Sequence, residues 1–266
     1  MDSITLGRLA RMKRERERIA CLTCYDATFA RLLESAGVEL VLVGDSLGNV
    51  IQGHGSTLAV TLDNMVYHSA CVARAISAPL LVADLPFLSY STPERAMESA
   101  RRLMGDGGAR MVKLEGGGHL LESVRRLSDF GVPVCAHLGL LPQSVHRLGG
   151  YRYQGRDAAQ AERIRADAMA LEQAGAELLV LECVPAALAA ELRQTLSLPV
   201  IGIGAGADCD GQVLVLHDLL GISVNGQPRF SRDFLTGQDG GLKAAIASYV
   251  AAVKTGTFPG PEQILF

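Results

Sequence analysis

At 266 residues, 48% of them hydrophobic and 20% charged, the chain is long enough for one (β/α)8 barrel or two small domains and apolar enough to bury a large core. A formal net charge of −3 excludes a general polyanion or nucleic-acid binder. No apolar run approaches the roughly 18 residues that a membrane span needs, so no membrane partner is expected.

The first stretch, MDSITLGRLARMKRERERIA, interleaves bases with Glu15 and Glu17 and has no apolar h-region. It reads as a helical lead-in rather than a secretory signal; an Arg-rich organelle transit peptide is the alternative, but such peptides are poor in acids. Short apolar runs then recur: RIACLTC (18–24), ELVLVGD (39–45), APLLVADLP (78–86), RMVKLEG (110–116), VPVCAHLG (132–139), ELLVLECVP (177–185), LPVIGIGAG (198–206) and LLGIS (219–223). Such runs fit strands buried on both faces of a parallel sheet better than strands with one wet face. Helical patterns lie between most of them. DATFARLLESAG (26–37) ends in Gly37 as its terminating residue. TPERAMESARRLMGDGG (92–108) begins with Thr92 as cap, Pro93 at the first helical position and Glu94 in the first turn. DAAQAERIRADAMALEQAG (157–175) is a third, and AAIASYVAAV (244–253) reads as a helix packed on the barrel or on a neighbouring subunit.

SAGVELVLV, GDGGARMVKL and QAGAELLVL each place a glycine, a short turn and a strand in that order, as αβ loops do. Eight strands with intervening helices and no Pro/Ser linker predict a single TIM barrel over 1–266, with a doubly wound open sheet as the alternative. The stretch from Gly139 to Gln154 is too long for an ordinary βα loop and reads as a site element. Cys21, Cys24, Cys71, Cys135 and Cys183 fall in apolar runs, where cysteine behaves as a small hydrophobe. CLTC (21–24) has redox spacing, but it lies in a strand-like run and has no second pair for zinc. A reducing, cytoplasmic setting is expected.

A TIM barrel keeps its chemistry at the C-terminal ends of its strands. Here the second run ends in Asp45 and Ser46, the third in Asp84, the fourth in Lys113 and Glu115, the fifth in His137 and the sixth in Glu182. Any one of these alone reads as a solvated loop residue or a helix cap. Five successive apolar runs ending in ionisable groups read as one polar site. Asp45, Asp84 and Glu115 offer oxygen donors that suit a hard divalent cation such as Mg²⁺. Lys113 and Glu115, two apart, share a strand face, so the lysine can hold an anionic substrate beside the metal. His137 reads equally as a catalyst or a hydrogen-bond partner. Glu182 closes an entirely apolar run and is the candidate general base, since burial raises a carboxylate's pKa toward the useful range. GIGAG (202–206) matches only part of a dinucleotide fingerprint; it presents backbone N–H groups to an anion or simply packs.

Taken together, GDSLGNVIQG (44–53), VADLPFLSY (82–90), MVKLEGG (111–117), AHLGLLPQS (136–144), LECVP (181–185) and IGIGAG (201–206) resemble the 3-methyl-2-oxobutanoate (ketopantoate) hydroxymethyltransferase family, in order and over nearly the whole chain. The resemblance implies a TIM barrel of the phosphoenolpyruvate/pyruvate superfamily, assembled as a homodecamer. It implies the first committed step of pantothenate biosynthesis: Mg²⁺-dependent transfer of a hydroxymethyl group from the co-substrate 5,10-methylenetetrahydrofolate to a 2-oxo acid, giving 2-dehydropantoate. Carried over by position, it makes Asp45, Asp84 and Glu115 the metal site and Glu182 the proton acceptor. Asp45, Ser46, Asp84, Lys113 and His137 would bind or border the 2-oxo acid. Leu141 stands where the family more often has Thr, and Tyr151 and Tyr153 where Phe and an aliphatic residue are expected, which bears on folate contacts or packing. Segment 52–61 reads as a lid or as a fixed surface loop. Superfamily lyases and phosphonomutases carry a K-x-x-C-G-H loop that is absent here, and a non-catalytic metabolite-binding barrel would not need a base on the sixth strand.

Overall fold

The computed structural model describes residues 3–224 and 226–264, so the extreme ends of the expected 1–266 domain lie outside the described residues. Eight parallel strands close into a barrel in sequential order. They are β1 (Ile19–Thr23), β2 (Leu40–Val43), β3 (Leu80–Asp84), β4 (Met111–Glu115), β5 (Val134–Gly139), β6 (Leu178–Glu182), β7 (Val200–Ile203) and β8 (Gly211–Leu214). The single TIM barrel is therefore the fold, and the open-sheet alternative falls.

The helices are α1 (Leu6–Glu15), α2 (Ala27–Ala36), α3 (Leu47–Val50), α4 (Leu62–Ala73), α5 (Pro93–Gly105), α6 (Leu121–Asp129), α7 (Val145–Leu148), α8 (Ala158–Gln173), α9 (Ala186–Thr195), α10 (Leu216–Leu219) and α11 (Gly241–Thr255). The local signals behave as chemistry requires. Thr92 caps α5 by accepting from the Arg95 N–H, with Pro93 at its first position. Asp26 caps α2, and Gly37 ends it in the left-handed conformation.

Strand side chains alternate between two cores. Ile19, Cys21, Leu40, Leu42, Leu80, Val82, Met111, Cys135, Leu178, Val180, Ile201 and Val213 fill the barrel interior, and Leu9 and Met12 of α1 join that cluster. The lead-in is thus a plug for one mouth of the barrel. Ala20, Leu22, Val41, Ala83, Val112 and Ala136 face outward into the larger layer between strands and helices. Beneath the plug, Lys13 and Arg193 each reach the buried Asp210 carboxylate at 2.8 Å. α11 packs on the barrel of its own chain, burying Ala245, Ile246, Tyr249 and Val253. The Tyr249 hydroxyl bonds the Cys21 and Gln212 carbonyls at 2.9 Å each, straddling the seam between β1 and β8.

The last strand corrects the sequence reading. It is GQVL, 211–214, not LLGIS, 219–223, whose leucines close α10 before a turn at Gly221. A short apolar run cannot by itself be told from a buried helix end. β8 escapes notice because it opens on Gly211 and carries a buried Gln212. That glycine is required: a Cβ there would sit 2.3 Å from the Ile19 carbonyl oxygen across the seam. Gly211→Ala is expected to cost roughly 1–3 kcal/mol through overpacking, read as a lowered melting temperature. An unchanged melt would mean that the seam relaxes freely. Cys71, expected in a strand, lies on α4, and Cys24 and Cys183 lie just past their strands.

Candidate active site

The period of two that fills the barrel also builds the site. Reading inward positions upward gives Leu80, Val82, Asp84 on β3; Met111, Lys113, Glu115 on β4; Cys135, His137 on β5; and Leu178, Val180, Glu182 on β6. On β3, β4 and β6 the last inward position is an acid, and on β5 His137 is the inward residue before the closing Gly139. Asp45 and Ser46 follow β2 by a turn that leads into α3. All seven expected residues line one cavity of about 490 Å³.

Strand register decides who meets whom. Asp84 lies opposite Lys113, and Glu115 opposite His137. Lys113 Nζ is accordingly 2.6 Å from Asp84 Oδ1, with both side chains 5% exposed. The other Asp84 oxygen accepts from the Asp45 N–H at 3.1 Å. His137 stands between two acids, with Nδ1 3.5 Å from Glu115 Oε1 and Nε2 3.3 Å from Glu182 Oε2. Neither ring nitrogen makes a well-directed hydrogen bond, so these are close contacts with two carboxylates. Burial and the Lys113 charge push the imidazole down, but Glu115 and Glu182 outweigh them and raise it to about 9. Glu182 is the most open of these side chains, at 14%. Ser46 is held by the Tyr25 hydroxyl at 2.9 Å.

Four acids face two cations here. Burial first, then Asp84 and Glu115, push the Asp45 carboxyl well above the carboxylate range. Burial tends to raise Glu115 too, but His137, Lys113 and the Gln143 N–H reverse the sign and lower it. Burial alone would lower Lys113; Asp84, Glu115 and Asp45 raise it instead. A crowd of hard oxygen donors with an excess of negative charge fits a divalent cation beside Asp45 and Asp84. Among the described residues no three His, Cys, Asp or Glu side chains converge into a closed metal shell.

Several residues of the site are not among those the sequence singles out. Gln143, in the 3-10 turn Pro142–Ser144, donates from its side chain to Asp45 Oδ2 at 2.8 Å and from its backbone to Glu115 Oε2 at 3.1 Å. Tyr90 donates to Gln143 Oε1 at 2.6 Å. Asp218 on α10 lines the far wall, with its carboxyl pushed up to about 6 by burial. The excessive length of the 139–154 segment was the available clue to Gln143; Asp218 was hidden by the misplaced last strand.

The glycines of GIGAG prove to pack. A Cβ on Gly202 would meet Cys209 Sγ at 2.7 Å, one on Gly204 the Phe230 ring at 3.1 Å, and one on Gly206 Ala186 at 2.5 Å. None of the three lines the cavity. Cys21 and Cys24 are buried, and burial pushes both thiols up, Cys24 to about 12, which leaves them as small hydrophobes. Tyr151 and Tyr153, the departures noted in the sequence, both stand in the cavity wall. Gly55 and Thr57 bring segment 52–61 to the same cavity. No helix among the described residues is long and apolar enough to cross a membrane.

Comparison with known proteins bears on this geometry. Residues 3–261 match the family model described as ketopantoate hydroxymethyltransferase. A 3-methyl-2-oxobutanoate hydroxymethyltransferase of Halorhodospira halophila is 58% identical over 260 residues, covering 98% of this chain and 94% of the relative. One from Methylococcus capsulatus is 59% identical over 259 residues, covering 97% and 96%. Among solved structures, a putative phosphonomutase from Burkholderia cenocepacia superposes with a TM-score of 0.61 at 17% identity, covering 81% of this chain and 94% of that one. A 2,3-dimethylmalate lyase of the PEP mutase/isocitrate lyase superfamily gives 0.56 at 17%, covering 80% of each. At that identity the likeness is one of fold.

Proposed function

The chain belongs to the ketopantoate hydroxymethyltransferase family, and on that premise we propose that it transfers the one-carbon unit of 5,10-methylenetetrahydrofolate to 3-methyl-2-oxobutanoate with the help of Mg²⁺. Water supplies the hydroxyl oxygen, and the products are 2-dehydropantoate and tetrahydrofolate. The observation that carries the reading is the division of labour around one cavity. A group of acids with a lysine occupies β3, β4 and the turn after β2, and a single, more open carboxylate faces it from β6.

Asp45, Asp84 and Glu115 would hold the ion. When bound, the ion withdraws charge from the substrate's oxygens and makes the neighbouring C–H bond easier to break. The protein's own groups do the rest. The positive charge of Lys113, buried beside Asp84, and the Ser46 hydroxyl, fixed by Tyr25, hold the 2-oxo acid's carboxylate. Glu182 takes the proton from C3, and that carbon forms the new bond to the one-carbon unit. His137, seated between Glu115 and Glu182, keeps the base pointed at the substrate and shields it from the negative charge of the acids.

The test is direct. With 2-oxoisovalerate, methylenetetrahydrofolate and Mg²⁺, the purified protein should form ketopantoate, detected by mass; no product with any divalent ion sinks the reading. We also propose a cytoplasmic homodecamer, which a light-scattering mass of ten protomers would support and a smaller one would overturn.

A further inference from the structure

The segment between β5 and α8 is tied down at three places, and each tie ends on the site. At its start, Gly139 lies against β6 so tightly that a Cβ would come within 2.1 Å of the Glu182 carbonyl oxygen, and the Leu140 N–H donates to that same oxygen at 2.8 Å. At its end, the Gln154 N–H donates to the Cys183 carbonyl at 3.0 Å. Cys183 itself has a positive φ of 49°, unusual for a residue with a side chain. In the middle, Gln143 donates to Asp45 Oδ2 at 2.8 Å, to the Leu85 carbonyl at 3.0 Å and, from its backbone, to Glu115 Oε2 at 3.1 Å. Its own carbonyl oxygen accepts from Tyr90, whose hydroxyl also reaches the Glu115 carbonyl at 3.3 Å.

Gln143 is 7% exposed, and nearly all its capacity is spent: both kinds of polar atom in its side chain are engaged, on partners that follow β2 and β3. An amide is the one side chain that can donate to Asp45 and Leu85 while accepting from a phenol. Gln143 and Tyr90 also line a second cavity, of about 320 Å³, which Glu115 borders as well.

We propose that the 139–154 segment is a strap that sets the distance between the two halves of the site, and that Gln143 is its positioning residue. The side-chain amide of Gln143 holds the Asp45 carboxylate and its backbone N–H holds that of Glu115, so one residue fixes the two relative to each other, and the pinned ends of the strap fix both relative to the strand that carries Glu182. Gln143 touches neither substrate nor reacting atoms; it acts through Asp45 and Glu115. This assignment rests on the proposed function for the identity of ion and substrate.

The experiment uses the full-length protein and two variants, Gln143→Ala and Tyr90→Phe, singly and combined. Divalent-ion affinity is measured by calorimetric titration with Mg²⁺ and Mn²⁺ in the absence of substrates. Partners that orient metal ligands typically carry 10- to 100-fold in affinity, and Gln143→Ala should weaken binding by that much. Tyr90→Phe removes the short bond to the Gln143 amide and the longer one to the Glu115 carbonyl, and should weaken binding by roughly two- to tenfold. In the Gln143→Ala background, Tyr90→Phe should add little, because the short bond of the phenol is made to the amide. Gln143→Ala should also lower kcat far more than it raises KM for the oxo acid. Ion affinity within twofold of wild type in both variants, with unchanged melting temperatures, overturns the proposal. Losses that add independently in the double variant overturn it too. If Gln143→Ala does not fold, Tyr90→Phe decides alone: weaker ion binding supports the strap and unchanged binding overturns it. Wild-type protein that binds the ion but forms no ketopantoate counts against the proposed reaction, whereas the variant affinities still judge Gln143.

Discussion

Glu182→Gln is expected to abolish deuterium exchange at C3 of 2-oxoisovalerate while leaving the oxo acid's binding nearly intact. The amide is isosteric, so the cavity keeps its shape, but it has no basic oxygen to take a proton. Positioned general bases contribute on the order of 10²- to 10⁴-fold, and the exchange rate should fall by that much. Glu182 suits the task because its carboxylate, unlike those of the other three acids, accepts from neither Lys113 nor Gln143 nor the Asp45 backbone. His137 Nε2 lies 3.3 Å from it. Exchange is a half-reaction and needs no folate, so it isolates proton removal from one-carbon transfer. Exchange at the wild-type rate in the variant would remove Glu182 from the role of base.

Lys113→Met is expected to be the most damaging single substitution to stability. The ammonium is buried against Asp84, and three carboxylates lean on it. Removing one partner of a buried pair leaves an uncompensated charge and costs about 3–5 kcal/mol, which for a chain of this size lowers the melting temperature by roughly 10 °C. Two rescues follow from the same electrostatics. Asp84→Asn in the Lys113→Met background removes the orphaned charge and should recover at least half of the loss. A divalent cation should stabilise Lys113→Met more than it stabilises wild type, because it supplies the missing positive charge to the folded state alone. A melting temperature within about 2 °C of wild type would show that the neighbouring acids simply take up protons, and that Lys113 serves substrate binding rather than the integrity of the site.

Much of this was legible in the sequence because the barrel repeats two simple rules. Uniformly apolar runs report strands wet on neither side, and a period of two places every second residue inside. Hence Asp84, Lys113 with Glu115, His137 and Glu182 are recognisable in the sequence as strand-end groups facing one mouth. Helix ends were legible because their signals are local: Thr92, Pro93, Asp26 and Gly37 act on backbone groups within one turn. β8 was misplaced for the complementary reason. Its fitness depends on Gly211 lying against Ile19, some 190 residues away in sequence, and nothing local in GQVL announces a partner at that distance.

By itself the sequence determined the first seven strands, the residue types at the mouth and, through its motifs, the family. The tertiary structure alone decided which charges answer one another. Register set Asp84 against Lys113 and Glu115 against His137, and so left Glu182 as the acid with its carboxylate free to act. It also brought Gln143, from a segment with no periodic pattern, onto two acids at once. The division has a physical origin. Burial and backbone conformation follow from a residue and its near neighbours, whereas an electrostatic partner follows from how separate strands are aligned, and that alignment exists only once the barrel has closed.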